Sequence, residues 1–176
     1  MAFFIKTICN ILKDYPLLNS SLSPSLDGIV IKEFINIGVA VDTNYGLIVP
    51  SIKNVDQLGI IEIANEIKRL SDLAKARKLS NIELEGGTFS VSSLGGIGGK
   101  FFTPIINPPE VAILGISKVF EQLQLINDKP QVRTVLPLSL SYDHRVINGA
   151  YAAGFIANLS KMLADVSWIE ENLDHG

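Results

Sequence analysis

"SYDHRVINGA", Ser141 to Ala150, decides how this chain is read. The β-type run "VRTVLPLSLSYD" leads into it, and a small-residue helical pattern leads away. The stretch is therefore a strand-to-helix junction. Asn148 is a good helix N-cap there, with small residues, Gly149 and Ala150, behind it. Ala152, Phe155, Leu159, Met162, Leu163 and Val166 then form one apolar side. His144 sits at the junction between Asp143 and Arg145. An imidazole titrates near neutrality, which suits proton transfer in a cleft. A lone histidine at such a junction is as readily structural, and these ten residues leave both readings open. On an extended backbone Asp143 points away from the ring and does not orient it.

Upstream, "EVAILGIS" (110–117) is a continuous apolar run of buried-strand type, and "NDKPQ" (127–131) is a turn. "GTFSVSSLG" (87–95) alternates and reads as a further strand. The glycines at 95, 96, 98 and 99 do not form G-x-G-x-x-G. Pro104, Pro108 and Pro109 prevent a helix from opening after them, so no phosphate cradle forms at a helix N-terminus. Lys100 and Thr103 also miss the phosphate-loop spacing. What remains is a Gly-rich bend, with Ser92 or Ser93 at the strand's end. Only one of those two can face a given cleft, because neighbours on a strand point opposite ways.

The first half adds two helices and a hairpin. Ala2, Ile5, Cys9 and Leu12 lie on one helical stripe beside Ile8, and Pro16 stops that helix near Asp14. A Ser- and Pro-rich loop, "LLNSSLSPSLDG", follows. β-type sequence then runs from Ile29 to Val41, turns at "TNYG" and resumes in "LIVPSI". Asp56 reads as the N-cap of a helix with apolar Leu58, Ile61, Ala64, Ile67, Leu70 and Leu73. Lys75, Arg77 and Lys78 suit the negative end of its dipole. With no repeat, low-complexity segment or linker, residues 1–176 read as one α+β domain, helices packed on a mixed or antiparallel sheet. The abrupt helical start predicts a fragment of a longer protein.

The bulk numbers narrow the function. The chain has 176 residues, 47% of them apolar, and a net charge of −3. Its mean hydropathy is +0.32. No apolar run reaches the roughly 18 residues of a membrane span, and the N-terminus lacks a signal-peptide pattern. No basic cluster marks a nucleic-acid partner. A single cysteine, Cys9, excludes an internal disulfide, fits a reducing cytoplasm and reads as a buried, inert thiol. One cysteine and two histidines do not build a tetrahedral metal site. Asp143 and Glu110 could serve a paired-carboxylate hydrolase, but nothing in their spacing brings them together. The excess apolar content predicts a large buried surface, part of it against another subunit.

"DHRVINGA" resembles the D-H-R-x-[IVL]-[DN]-G signature of the dihydrolipoyl acyltransferases, core components of the 2-oxo acid dehydrogenase complexes. It is a rearranged cousin of the chloramphenicol acetyltransferase signature. "INIGVAVDTNYGLIVPSIKNVD" is similar to the family's hairpin region, and "GGTFSVSSLGGIGGKFFTPIINPPEVAILGIS" to its serine-bearing strand, Pro-rich bend and following strand. The motifs keep the family order over nearly the whole chain. "SSLGG", "PPEVAILGISK" and "DHRVINGA" look most like the acetyl-transferring members, those of pyruvate dehydrogenase complexes.

The resemblance implies a chloramphenicol acetyltransferase-like fold lacking its usual opening strand. It implies that His144 is the general base, taking the thiol proton of coenzyme A or of dihydrolipoamide, and that Ser92 donates a hydrogen bond to the tetrahedral oxyanion. Asn148 replaces the more usual Asp and is expected to organise the site, not to carry a proton. The family forms trimers with each site at a subunit boundary, so His144 and Ser92 would come from neighbouring chains. Larger cubic or dodecahedral cores form partly through an apolar C-terminal tail, which the polar "WIEENLDHG" does not match. The sequence contains neither a lipoyl domain nor a peripheral-subunit-binding domain, so the acyl-carrying lipoyl group would be supplied by a separate domain, with the other dehydrogenase-complex subunits as partners. Two other readings stay open: a non-catalytic structural core of such a complex, and an unrelated hydrolase with a Ser-His pair.

Overall fold

The computed structural model describes residues 1–96, 98–165 and 167. In chain order the elements are α1 (Ala2–Leu12), β1 (Ser20–Leu22), β2 (Ile29–Ile31), β3 (Ile37–Val39), β4 (Val41–Thr43), β5 (Gly46–Ile48) and β6 (Ser51–Ile52). Then follow α2 (Ile60–Lys75), the short α3 (Asn81–Leu84), β7 (Phe89–Ser93) and β8 (Ala112–Ile116). The chain continues through β9 (Phe120–Ile126), β10 (Lys129–Val135), β11 (Leu138–Tyr142) and α4 (Gly149–Leu163).

A five-stranded sheet in the order β11–β8–β7–β3–β6 forms the centre. Its three inner strands run parallel, and β11 and β6 flank them antiparallel. The α+β class with a mixed sheet is what the molecule has. All five residues of β8 are buried, as expected for an inner parallel strand covered on both faces. β7 alternates instead. Phe89 and Val91 face the helices, and the Phe89 ring lies 5.8 Å from that of Phe155 on α4. Ser90 and Ser92 therefore face the other side.

The helical layer supplies most of the core. Ile5, Ile8, Cys9 and Leu12 of α1, Ile63 and Leu70 of α2, and Phe155 and Leu159 of α4 are at most 1% exposed. Each such aliphatic or aromatic side chain contributes about 1.5–3 kcal/mol on burial. Burial also pushes the Cys9 thiol up to about 11, as befits an inert thiol.

Several expected boundaries move. α2 starts at Ile60 with Gly59 as N-cap, while Asp56 lies in a separate 3₁₀ turn, Val55–Gln57. The Glu62 carboxylate accepts from the Gly59 N–H at 2.8 Å and fixes that start. The buried stripe is then Ile60, Ile63, Leu70 and Ala74, and Ile61 is 54% exposed. Apolar residues recur on both phases of this helix, so periodicity alone could not choose between them. The β-type run from Ile29 is broken after Ile31, because the Asn19 amide donates to the carbonyls of Lys32 and Phe34. Pro50 and Pro137, which lack an N–H, split the two other long runs. Val166 and the C-terminal "WIEENLDHG" lie outside the described residues.

Candidate active site

His144 projects from a tight turn clamped at both ends. Before it, the Asp143 N–H donates to the Val111 carbonyl, tying the turn to the residue that precedes β8. After it, the Asp143 carbonyl accepts from Val146 and Ile147, and the Ile147 side chain is fully buried. His144 and Arg145, between these anchors, are exposed. Asp143 does not orient the imidazole. Its carboxylate takes Arg145 in a fork, with contacts of 2.6–3.1 Å, and the guanidinium holds the Asp143 carboxyl below its ordinary value. The His144 ring rests beside Tyr142, centroids 5.8 Å apart. Asn148 is the N-cap of α4: its Oδ1 accepts from the Tyr151 N–H at 2.9 Å.

Ser92 lies elsewhere. On the sheet face away from the helices it lines a cavity of about 460 Å³ with Ala40, Leu47, Val49, Phe102 and Asn107 among its walls. Small residues make that face. Gly38 pairs with Ser90 and Gly115 with Ser92 across the strands. A Cβ on Gly115 would meet the Phe102 ring at 2.8 Å, so this glycine lets the 102–107 segment lie close over the strand. Ser92 and Asn107 are the polar members of an otherwise apolar lining, a setting in which a hydroxyl donor acts at low dielectric. Ser93 points the other way, is exposed, and accepts from the Gly95 N–H at 3.4 Å.

Within one chain the two groups do not meet. Ser92 is in register with Gly115 of β8, and Tyr142 with Ala112. Two strand spacings and three residues separate them, roughly 14 Å. His144 lies beyond the end of its strand, at the opposite end of the sheet. A Ser-His hydrolase pair inside one chain is therefore not formed. Asp143 and Glu110, which no spacing connected, do line one cavity, of about 350 Å³. The 102–107 roof of the Ser92 cavity is not legible in the sequence pattern. The glycines facing Ser90 and Ser92 were its one signal, and they become visible only once the register is known.

In a cavity of about 640 Å³ beside α2, the Arg69 guanidinium bonds Glu66 and Glu83 at 3.0 and 2.6 Å. Among the described residues no group of three or more His, Cys, Asp or Glu is placed to hold a metal ion.

The chain is similar to proteins of known role. It is 48% identical over 96% of its length to the dihydrolipoyllysine-residue acetyltransferase component of the pyruvate dehydrogenase complex of Buchnera aphidicola from Acyrthosiphon pisum, and covers 43% of that protein. The Azotobacter vinelandii counterpart is also 48% identical over 94% of this chain, which spans 26% of it. The chain thus spans less than half the length of these curated relatives. A crystal structure of the Azotobacter vinelandii dihydrolipoamide acetyltransferase, solved to study a serine, a histidine and an asparagine in its catalytic mechanism, superposes with a TM-score of 0.90 over 94% of this chain and 68% of that one. The cubic core of the pyruvate dehydrogenase multienzyme complex superposes equally well. Chloramphenicol acetyltransferase, 12% identical with a TM-score of 0.61, shares the fold. The family model of the 2-oxoacid dehydrogenases acyltransferase catalytic domain matches residues 1–169, and the chain belongs to that family.

Proposed function

We propose that the chain moves an acetyl group between dihydrolipoamide and coenzyme A, with His144 as general base, Ser92 as oxyanion donor and Asn148 holding the site in shape. The spacing carries this reading. The Azotobacter vinelandii serine and histidine are 52 positions apart and the asparagine is four further on, as are Ser92, His144 and Asn148.

A thiol is mostly protonated at pH 7, so its attack needs a positioned base. The His144 imidazole takes the thiol proton, and the sulfur forms a new C–S bond to the acyl carbonyl. The negative charge moves onto the carbonyl oxygen, where the Ser92 hydroxyl donates to it. Collapse of the tetrahedral species breaks the old C–S bond, and the departing sulfur recovers the proton from the imidazolium. Asn148 spends its Oδ1 on the Tyr151 amide, so it fixes the start of α4 and the turn before it.

Because Ser92 and His144 lie at opposite ends of one sheet, the complete site belongs between two chains of a homotrimer. The exposed surface supports this. Among the described residues β2 pairs with β1 alone, and its Ile29, Val30 and Ile31 are all exposed. An apolar strand with a free edge is a template for another chain. The trimer would sit in a larger core with the other dehydrogenase-complex subunits, in the cytoplasm, and the lipoyl group would arrive on a separate domain. Among the described residues no helix is long and apolar enough to cross a membrane.

Purified chain is given acetyl-coenzyme A and dihydrolipoamide, and released coenzyme A is followed. Transfer by the wild type and its loss in His144→Ala, with the oligomer intact, is the expected result. Near-full activity in that variant removes His144 from the mechanism. No transfer by the wild type favours the structural-core reading, and acetyl release to water without a thiol favours a hydrolase.

A further inference from the structure

Glu110 closes the "INPPE" bend and is the one acidic side chain buried among the described residues, 6% exposed. No Lys, Arg or His among them forms an ion pair with it. Its Oε1 accepts from Asn107 Nδ2 at 3.3 Å, and its N–H donates to the Asn107 carbonyl at 3.0 Å. That oxygen fills the space over Gly87, where an added Cβ would come within 2.6 Å of it. Ser90 Oγ and Glu110 Oε2 are both buried without a hydrogen-bond partner.

Asn107 and the unpartnered Ser90 belong to the Ser92 site. Ser90 is two residues before Ser92 on the same face of β7, and Asn107 lines the Ser92 cavity. On its other side Glu110 lines the cavity that Asp143 and Arg145 enter from the His144 turn, and Ile106 borders both cavities.

We propose that Glu110 is a positioning residue for acyl transfer, its carboxyl tying the strand that carries Ser92 to the Asn107 roof of the same cavity. This rests on the role given to Ser92 above. The tie is made by the uncharged acid. Burial pushes the Glu110 carboxyl up to about 7, with Ser90 and Asn107 pulling partly back. A neutral carboxyl can donate as well as accept, whereas a carboxylate only accepts. Losing the proton would leave an uncompensated charge in the interior and loosen the tie. The charged groups nearby are otherwise engaged. Asp143 and Arg145 pair with each other, and Lys53, beyond Gly86 and Gly87, donates to Ser51 and to the Glu85 carbonyl.

The test compares wild type, Glu110→Gln and Glu110→Ala for rate against pH and for amide hydrogen exchange over residues 89–93 and 104–110. Gln reproduces the donor and acceptor of the neutral acid. In Glu110→Ala, kcat should fall on the order of ten- to a hundredfold with little change in the KM for coenzyme A, and exchange should quicken in both segments. Glu110→Gln should hold exchange near wild type, keep kcat within a few fold at pH 6, and lose a wild-type fall in rate as pH rises through about 7. Wild-type kcat in the Ala variant, unchanged exchange in both segments, or the same falling limb in the Gln variant would each overturn the proposal. If the wild type transfers no acetyl group, the functional reading fails, and the exchange pattern alone still decides whether Glu110 ties the two segments.

Discussion

Ser92 and Glu110 meet different electrostatic demands. Ser92 faces an apolar cavity, where a hydroxyl donor to an oxyanion is typically worth about 2.7–4 kcal/mol of transition-state stabilisation. Ser92→Ala should therefore lower kcat by roughly a hundred- to a thousandfold, while Ser93→Ala, on the opposite face, should stay near wild type. Steady-state rates for the two variants check this, and equal losses would reassign the donor. Glu110 makes a prediction that does not need the enzyme to work. Its carboxyl is raised from 4.5 to about 7 on folding, so the folded chain holds a proton that the unfolded chain releases. Below pH 4.5 both states are protonated and the residue costs nothing. Between pH 4.5 and 7 the unfolded state increasingly gains by ionising, and stability falls. Above 7 the loss is complete, on the order of 3 kcal/mol for a shift of this size. Glu110→Gln abolishes this dependence. Its stability relative to wild type should rise from pH 4.5 to 7 and then level off, in urea melts across that range. A constant difference would show that the carboxyl does not titrate in that window.

At the scale of elements, the turn between β11 and α4 converts a strand into a presented histidine. The Val111 contact, the buried Ile147 and the Asn148 cap hold it from three sides. Asn148→Ala removes the cap and should cost about 1 kcal/mol of stability, with a larger fractional loss of activity as the turn relaxes. Asn148→Asp keeps an acceptor at the helix N-terminus and should retain the stability. Thermal melts beside rates separate the two effects. The junction was legible in the sequence because cap, apolar stripe and preceding strand agree on one boundary. The start of α2 was not, because Ile60–Ile63–Ile67 and Ile61–Ala64–Ile67 are equally good stripes and a Glu62 bond to backbone decides between them. The Ser92 cavity was half legible. Alternation marked the two serines, but the Phe102–Asn107 roof depends on Gly115 meeting Phe102, 13 positions earlier and beyond the irregular segment that precedes β8. Gly115→Ala should push that roof off the strand and depress kcat without altering the helices, which circular dichroism and rates together would register.

At the scale of the molecule, the sheet register turns a question about residues into one about subunits. One chain presents Ser92 at one end of the parallel strands and His144 beyond the other, roughly 14 Å or more apart on strand spacing alone. The chain also exposes Ile29, Val30 and Ile31 on a free-edged strand, and Leu123, Leu125 and Val132 on the β9–β10 hairpin. Large apolar surface of this kind marks contact with another molecule. If the site is completed in a cyclic trimer, every boundary is of one type, and each site takes His144 from one chain and Ser92 from the next. Two inactive variants can then rescue each other. A trimer assembled from a random equal mixture of His144→Ala and Ser92→Ala chains has intact boundaries wherever the histidine comes from the serine variant and the serine from the histidine variant. That combination arises at about one boundary in four, so the mixture should recover about a quarter of wild-type activity per site. Co-refolding the two from denaturant, with each refolded alone as control, measures it. Recovery requires a shared site. Its absence in mixed trimers of confirmed composition would mean that both groups act within one chain, against the sheet register, or that one of them does not act at all.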